Sequence, residues 1–213
     1  MEITAEKIMQ QLSAGTQVAG VIAVFGEEGY YKDKIAAALP RAVFGDAAPE
    51  DREITVFERD TDIKEISAAV NTYPFFSGRS LVIIKDEKLW GGKDGGEKRK
   101  QQQEELAELL ADVPEHCQVL LLGEKIDKRG KLYKSLLKTA AMVECKSLKS
   151  YQLKPWLDEQ AALRGCRFDY EASQTIMEYL SVTDNAPLLL LEQEIEKLSV
   201  LSLIHISEPT RHA

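Results

Sequence analysis

The chain has 213 residues and a formal net charge of −8, with 44% hydrophobic and 29% charged residues. Such a composition is typical of a globular protein with one large domain or two small ones. The negative charge argues against a protein that binds nucleic acid mainly through electrostatics. No apolar run approaches the length of a membrane span, so we expect no membrane partner.

The three cysteines, Cys117, Cys145 and Cys166, are odd in number and widely spaced. This spacing favours reduced thiols over disulfides or a metal site, and the first residues do not resemble a signal peptide. We therefore expect a cytoplasmic protein without a metal site. His116 is the one histidine far from the end of the chain, and we interpret it as a surface loop residue rather than a catalytic base.

Predicted strands and helices alternate along residues 1–148. Several strands are continuously apolar, which indicates a parallel sheet covered on both faces. The predicted strands are Val21–Phe25, Glu53–Glu58, Leu81–Ile84, Gln118–Leu122 and Ala141–Cys145. The predicted helices are Ile3–Ala14, Lys32–Leu39, a helix capped by Thr61, Gln101–Leu110 and Lys131–Lys138, and the glycine-rich, charged stretch Gly91–Lys100 is predicted as a mobile loop.

After Lys149 the pattern changes to helices with little strand between them. The predicted helices are Tyr151–Ala162, Tyr170–Leu180 and Pro187–Leu198, and the last has apolar residues at a spacing of three and four. The sequence therefore predicts an α/β domain over residues 1–148 and a small helical domain over residues 149–200.

The turn after the first long strand has the layout of a phosphate-binding loop without its chemistry. In the pattern G-x-x-x-x-G-K-[ST], Gly26 is the first glycine and Lys32 is the lysine. Tyr31 stands where the second glycine would let the backbone approach a phosphate, and Asp33 replaces the hydroxyl that would hold Mg²⁺. Two glutamates follow Gly26 and place negative charge where phosphates would lie. This loop is predicted to be degenerate.

Two adjacent phenylalanines, Phe75 and Phe76, precede the strand Leu81–Ile84. Neighbouring residues on a short helix or turn cannot both face one core, so at least one ring is a candidate for exposure. An exposed, rigid aromatic pair would suit a wedge that binds another protein. The alternative is that both rings belong to the core, as most phenylalanines do.

Residues Leu201–Arg211 resemble the in-frame translation of a common sequencing adapter, and they interrupt the helical pattern before them. We therefore expect residues 201–213 to be a non-native tail and the native part to end near Val200.

Several segments of residues 1–200, in this order and spacing, resemble the delta subunit family of the bacterial DNA polymerase III clamp loader. The segments are Gly26–Asp33, Pro74–Arg79, Lys125–Arg129, Leu132–Lys134 and Leu191–Leu198. The resemblance implies an AAA+-like protein without ATPase activity. It implies a RecA-like domain at residues 1–148, a helical lid at residues 149–200 and a helical collar domain that is missing here.

The resemblance also implies a function. The family inserts a hydrophobic pair into a pocket on the sliding clamp (beta), and the matching positions are Phe75 and Phe76, with Arg79 as a weaker contact at the rim. The other implied partners are the delta prime and gamma/tau subunits of the loader, with primed DNA reached indirectly. The holoenzyme is a DNA-directed DNA polymerase, but this chain is expected to have no catalytic residue and no cofactor.

Two alternatives stay open from the sequence. One is a working AAA+ ATPase, because Lys32 is present and Ile83–Glu87 resembles the end of a Walker B strand. The segment Thr183–Pro187, where related ATPases carry a sensor arginine, has none, and this disfavours hydrolysis. The other alternative is a protein-interaction scaffold unrelated to replication.

Overall fold

A computed structural model describes residues 1–16, 18–58, 61–85, 97–181 and 188–206. The chain divides into two compact units, Met1–Lys146 and Ser147–Ala213. Within the described ranges, the first unit contains one six-stranded sheet in the order β1-β6-β2-β5-β4-β3, and every pairing is parallel. The strands are β1 Glu2–Ile3, β2 Val21–Phe25, β3 Glu53–Phe57, β4 Ser80–Ile84, β5 Cys117–Gly123 and β6 Ala141–Glu144.

Helices cover both faces of this sheet. The first unit contains α1 Ala5–Ser13, α2 Gly29–Phe44, α3 Ile63–Asn71, α4 Glu97–Ala111 and α5 Lys131–Thr139. One face packs on α3, α4 and α5 through a core that includes Ala23, Val82 and Leu121. Helices α1 and α2 pack together and contact strands of the same sheet. The predicted RecA-like α/β arrangement with a parallel sheet is confirmed.

The second unit is helical over its described residues. Its helices are α6 Ser150–Leu163, α7 Tyr170–Ser181 and α8 Leu188–Ile206. Leu153 and Leu157 of α6 and Ile195 of α8 are buried. Among the helices of the described ranges, none has the length and apolarity needed to cross a membrane.

Several predicted helix boundaries in the first unit are wrong, among them the start of α2, which lies at Gly29 rather than Lys32. Ile3 does not begin a helix but pairs with β6 as the second residue of the short strand β1. Helix α1 starts after Thr4, whose hydroxyl accepts the N–H of Lys7 at 3.3 Å. Helix α2 continues past Pro40 to Phe44. Proline removes one backbone hydrogen bond, and burial of the last residues of the helix outweighs this loss.

One predicted helix cap and one predicted loop also differ from the structure. The residue that caps α3 is Asp62 rather than Thr61, because the carboxylate of Asp62 accepts the N–H of Lys64 at 3.1 Å. Residues Glu97–Lys100 form the first turn of α4 rather than a mobile loop, since Glu, Lys and Arg are strong helix formers. The remainder of the predicted loop lies outside the described residues.

Helix α8 runs through residues 201–206. The predicted interruption of the helix at residue 201 is therefore wrong, because this stretch contains neither proline nor glycine before Pro209. The non-native origin of residues 201–213 stays a prediction.

Candidate functional site

The predicted site residues fall into two groups at opposite ends of the parallel strands. The degenerate phosphate loop follows the carboxyl end of β2, whereas Phe75 and Phe76 lie just before the amino end of β4. The strands are parallel, and a five-residue strand is about 17 Å long. The structure therefore does not bring the two groups together.

Residues 72–79, between α3 and β4, form what we call the phenylalanine loop. The side chain of Phe75 is 89% exposed and that of Phe76 is 70% exposed. Their rings meet edge to face, with centroids 5.5 Å apart and planes at 66°. The alternative in which both rings belong to the core is wrong.

The start of the phenylalanine loop is anchored to the first unit. Pro74 is buried directly before the two exposed rings. The ring of Tyr73 packs against the imidazole of His116, with centroids 5.1 Å apart. His116 is only half-buried in the turn before β5, and its ring contacts Tyr73 of the loop.

The chain bends at the end of the loop. Gly78 has φ of +65°, a left-handed conformation that favours glycine. The hydroxyl of Ser77 donates a hydrogen bond to the carbonyl of Arg79 at 2.7 Å. Arg79 itself is exposed, so its guanidinium lies on the same surface loop as the two rings.

The carboxylate of Glu53, at the start of β3, is the third anchor of the loop. Its Oε1 atom accepts hydrogen bonds from the backbone N–H groups of both Phe75 and Phe76, the second at 2.9 Å. Glu53 is absent from the predicted site because it reads as the first residue of an ordinary strand. No local signal links it to residues more than 20 positions later.

Gly26 occupies the first glycine position of the degenerate phosphate loop for a structural reason. Its φ is +133°, and a Cβ atom there would lie 1.9 Å from the carbonyl oxygen of Cys145. The N–H of Glu28 donates to that same carbonyl at 3.1 Å. The glycine thus allows the loop to lie directly against the residue that follows β6.

Two side chains of this loop form hydrogen bonds with its own backbone. The ammonium of Lys32 donates to the carbonyl of Gly26 at 2.8 Å. The carboxylate of Glu28 caps α2 by accepting the N–H of Tyr30 at 3.0 Å, so a negative charge already sits at the helix N-terminus that would attract an anion. Tyr31 is buried and Asp33 is exposed.

Cys145, which contacts this loop, is not an activated nucleophile. Burial raises the pKa of the Cys145 thiol to about 12, and the nearby charge of Lys32 only partly opposes this effect. A thiol with that pKa is protonated near neutral pH. Within the described ranges, no group of three or more His, Cys, Asp or Glu side chains is placed to hold a metal ion.

Two segments named in the sequence analysis cannot be placed in this way. Asp86 and Glu87, at the end of the Walker B-like stretch, and residues 183–187, which lack the sensor arginine, lie outside the described residues.

The fold defines an α/β protein with one parallel sheet flanked by helices, and side chains of the turn after β2 bond to the turn's own backbone. The chain belongs to the family of DNA polymerase III delta subunits, whose family model matches residues 25–146.

A curated sequence and a solved structure, both from Bacillus subtilis, are similar to this chain. DNA polymerase III subunit delta of strain 168 is 28% identical over 185 residues, which are 85% of this chain and 52% of that protein. The solved structure of the DNA clamp loader delta protein has a TM-score of 0.74 at 24% identity, covering 93% of this chain and 57% of that one. This chain thus spans about half the length of the curated relative, and the structural similarity is one of fold.

Proposed function

We propose that this chain is the part of a clamp-loader delta subunit that binds the sliding clamp (beta) and opens its ring for loading onto primed DNA. The observation that supports this proposal is the exposure of Phe75 and Phe76 on an anchored loop. Two neighbouring exposed phenylalanines are unfavourable in water, and aromatic anchors of this kind are typical of protein interfaces.

The proposed action is mechanical rather than chemical. A protein that binds the open ring more tightly than the closed ring shifts the clamp toward the open state. The two rings would enter an apolar pocket on the clamp, and Arg79 would contact a carboxylate at the rim, where a charge contributes little to affinity. ATP bound elsewhere in the loader would control access to the loop.

Other partners follow from membership of the family. We infer that the full-length protein assembles with delta prime and gamma/tau subunits and that it reaches DNA only through the assembled complex. The first unit would act as the RecA-like domain and the second as the lid, in a cytoplasmic protein. No residue of the described site supplies nucleotidyl transfer.

The test is to measure clamp affinity and thermal unfolding on the same single variants. Phe75→Ala and Phe76→Ala are each expected to weaken binding to the beta clamp by roughly 2–4 kcal/mol, the range of an aromatic hot spot. Because both rings are exposed, the melting temperature should stay close to that of the wild type. Binding is read from a titration with a fluorescently labelled clamp.

Tyr151→Ala is the matched control, since Tyr151 is an aromatic residue of the second unit that is 73% exposed. It should leave clamp affinity unchanged. Unchanged binding in both phenylalanine variants would refute the wedge. If the wild-type chain does not bind any sliding clamp, the scaffold alternative gains support instead.

A further inference from the structure

We infer that Glu53 is a positioning residue that holds the phenylalanine loop in its clamp-binding conformation before the clamp arrives. This inference rests on the proposed function, and it assigns a role to a residue that makes no contact with the clamp in that proposal. Glu53 would act through the backbone of Phe75 and Phe76.

The Glu53 contact orients the backbone from which both rings extend. One carboxylate oxygen accepts two consecutive backbone N–H groups, those of Phe75 and Phe76. Two donors aimed at one acceptor fix the orientation of successive peptide planes, and with them the directions in which both Cα–Cβ bonds leave the backbone. Hydrogen bonds to an ionised carboxylate are also stronger than those between neutral groups.

The pairing of β3 with β4 places the carboxylate of Glu53 beside the phenylalanine loop. Glu53 is the first residue of the edge strand β3, and it is paired in register with Ser80, the first residue of β4. Since β4 begins directly after the phenylalanine loop, the pairing of β3 with β4 holds the acceptor beside the loop. Removing the carboxylate would leave the rigid sheet in place and free only the loop.

Freedom in the loop would reduce affinity for the clamp. A flexible loop must lose backbone and side-chain entropy on binding, whereas an ordered loop has already lost it during folding. The anchor at Pro74 and the bend at Gly78 hold the two ends of the loop. Glu53 fixes the part between them that carries the rings.

The experiment uses the whole chain and three variants, Glu53→Ala, Glu53→Gln and Glu50→Ala. Glutamine keeps an oxygen acceptor without the charge, and Glu50 is an exposed carboxylate three positions earlier that serves as the control. The first readout is amide hydrogen exchange at Phe75 and Phe76 by NMR without any clamp. The second is affinity for the beta clamp.

In Glu53→Ala we expect both amides to exchange faster and clamp binding to weaken about tenfold, since the loop must then be ordered on binding. Glu53→Gln should fall between the alanine variant and the wild type in both readouts, and Glu50→Ala should match the wild type. Amides of β2 and β5, measured in the same experiment, should be unchanged, which shows that the sheet remains folded.

Wild-type exchange at Phe75 and Phe76 in Glu53→Ala would overturn the inference, as would faster exchange with unchanged clamp affinity. An equal loss of affinity in Glu50→Ala would show that the charge of this surface acts directly on the clamp, and would also overturn it. If Phe75→Ala and Phe76→Ala both bind the clamp as well as the wild type does, the proposed function itself fails. The exchange result is independent of that outcome.

Discussion

At Gly26 and Lys32, residues with the spacing of a phosphate-binding loop serve the fold instead. Gly26 has no room for a side chain, because the carbonyl of Cys145 would lie 1.9 Å from its Cβ atom. Lys32 donates its hydrogen bond to the carbonyl of Gly26 rather than projecting toward an open site. These contacts give both residues a structural role that needs neither the hydroxyl nor the second glycine of a phosphate-binding loop.

The role of Gly26 can be tested by substitution. Gly26→Ala should reduce the free energy of unfolding by roughly 2–5 kcal/mol, because it combines backbone strain at a positive φ with a clash against backbone. Gly29, the first residue of α2, is the matched control, since nothing lies within 4 Å of its Cβ position. Gly29→Ala should be neutral or stabilise the protein by up to about 1 kcal/mol.

Urea denaturation of both variants measures the difference. Equal stability of Gly26→Ala and Gly29→Ala would contradict the close approach of the loop to β6.

At the level of elements, the central strands are the part of the fold that the sequence predicts best. Val21–Phe25 is buried along its whole length, as is Ser80–Ile84, which extends the predicted strand by one residue. Strands buried on both faces must be continuously apolar, so their composition alone marks them. Membership of a parallel sheet follows from the helices between them.

The elements that depend on distant residues could not be predicted. Strand β1 has only two residues, and it exists because of its pairing with Met142 and Val143. The end of α2 depends on burial of Val43 and Phe44, whereas Pro40 in the sequence predicts that the helix ends before it. For the candidate site, the adjacency of Phe75 and Phe76 in the sequence predicts that at least one ring is exposed. The hydrogen bonds to Glu53 could not be predicted, because they join residues far apart in the chain.

An ion pair between helices of the second unit gives a prediction at this scale. Arg164, at the end of α6, lies 2.9 Å from Glu192 of α8, and the two side chains are 21% and 11% exposed. A pair that is largely removed from water should be strongly coupled. A double-mutant cycle with Arg164→Ala and Glu192→Ala should give a coupling energy of about 1–2 kcal/mol.

The control is Lys154 and Asp158, a pair on α6 at 2.8 Å whose side chains are about half exposed. The same cycle there should give about 0.3–0.5 kcal/mol. Coupling of Arg164 with Glu192 that is no larger than this would contradict the structural role of the pair. Both cycles are measured by thermal unfolding of the whole chain.

For the first unit as a whole, the parallel sheet separates the two candidate sites. Every pairing among the described strands is parallel. The carboxyl ends of these strands therefore all point one way along the strand direction, and the amino ends all point the other way. The degenerate phosphate loop and the phenylalanine loop are therefore about one strand length apart. A nucleotide with its phosphates at the first loop would thus bind at the opposite ends of the strands from the phenylalanine loop, and a ligand shifts an equilibrium only through a difference in its own binding.

This separation leads to a prediction about ATP. The clamp affinity of this chain should change by less than about twofold when Mg²⁺ and ATP are added, because neither loop offers a nucleotide-dependent contact to the clamp. Phosphate release should not exceed background, since Glu28 caps α2 and Lys32 is bonded to the loop backbone. Both quantities are measured on the wild type and on Lys32→Ala, which should behave alike. If the wild type releases phosphate and Lys32→Ala does not, the chain is a working ATPase. If ATP changes the clamp affinity of the wild type but not that of Lys32→Ala, the two loops at opposite ends of the strands are coupled.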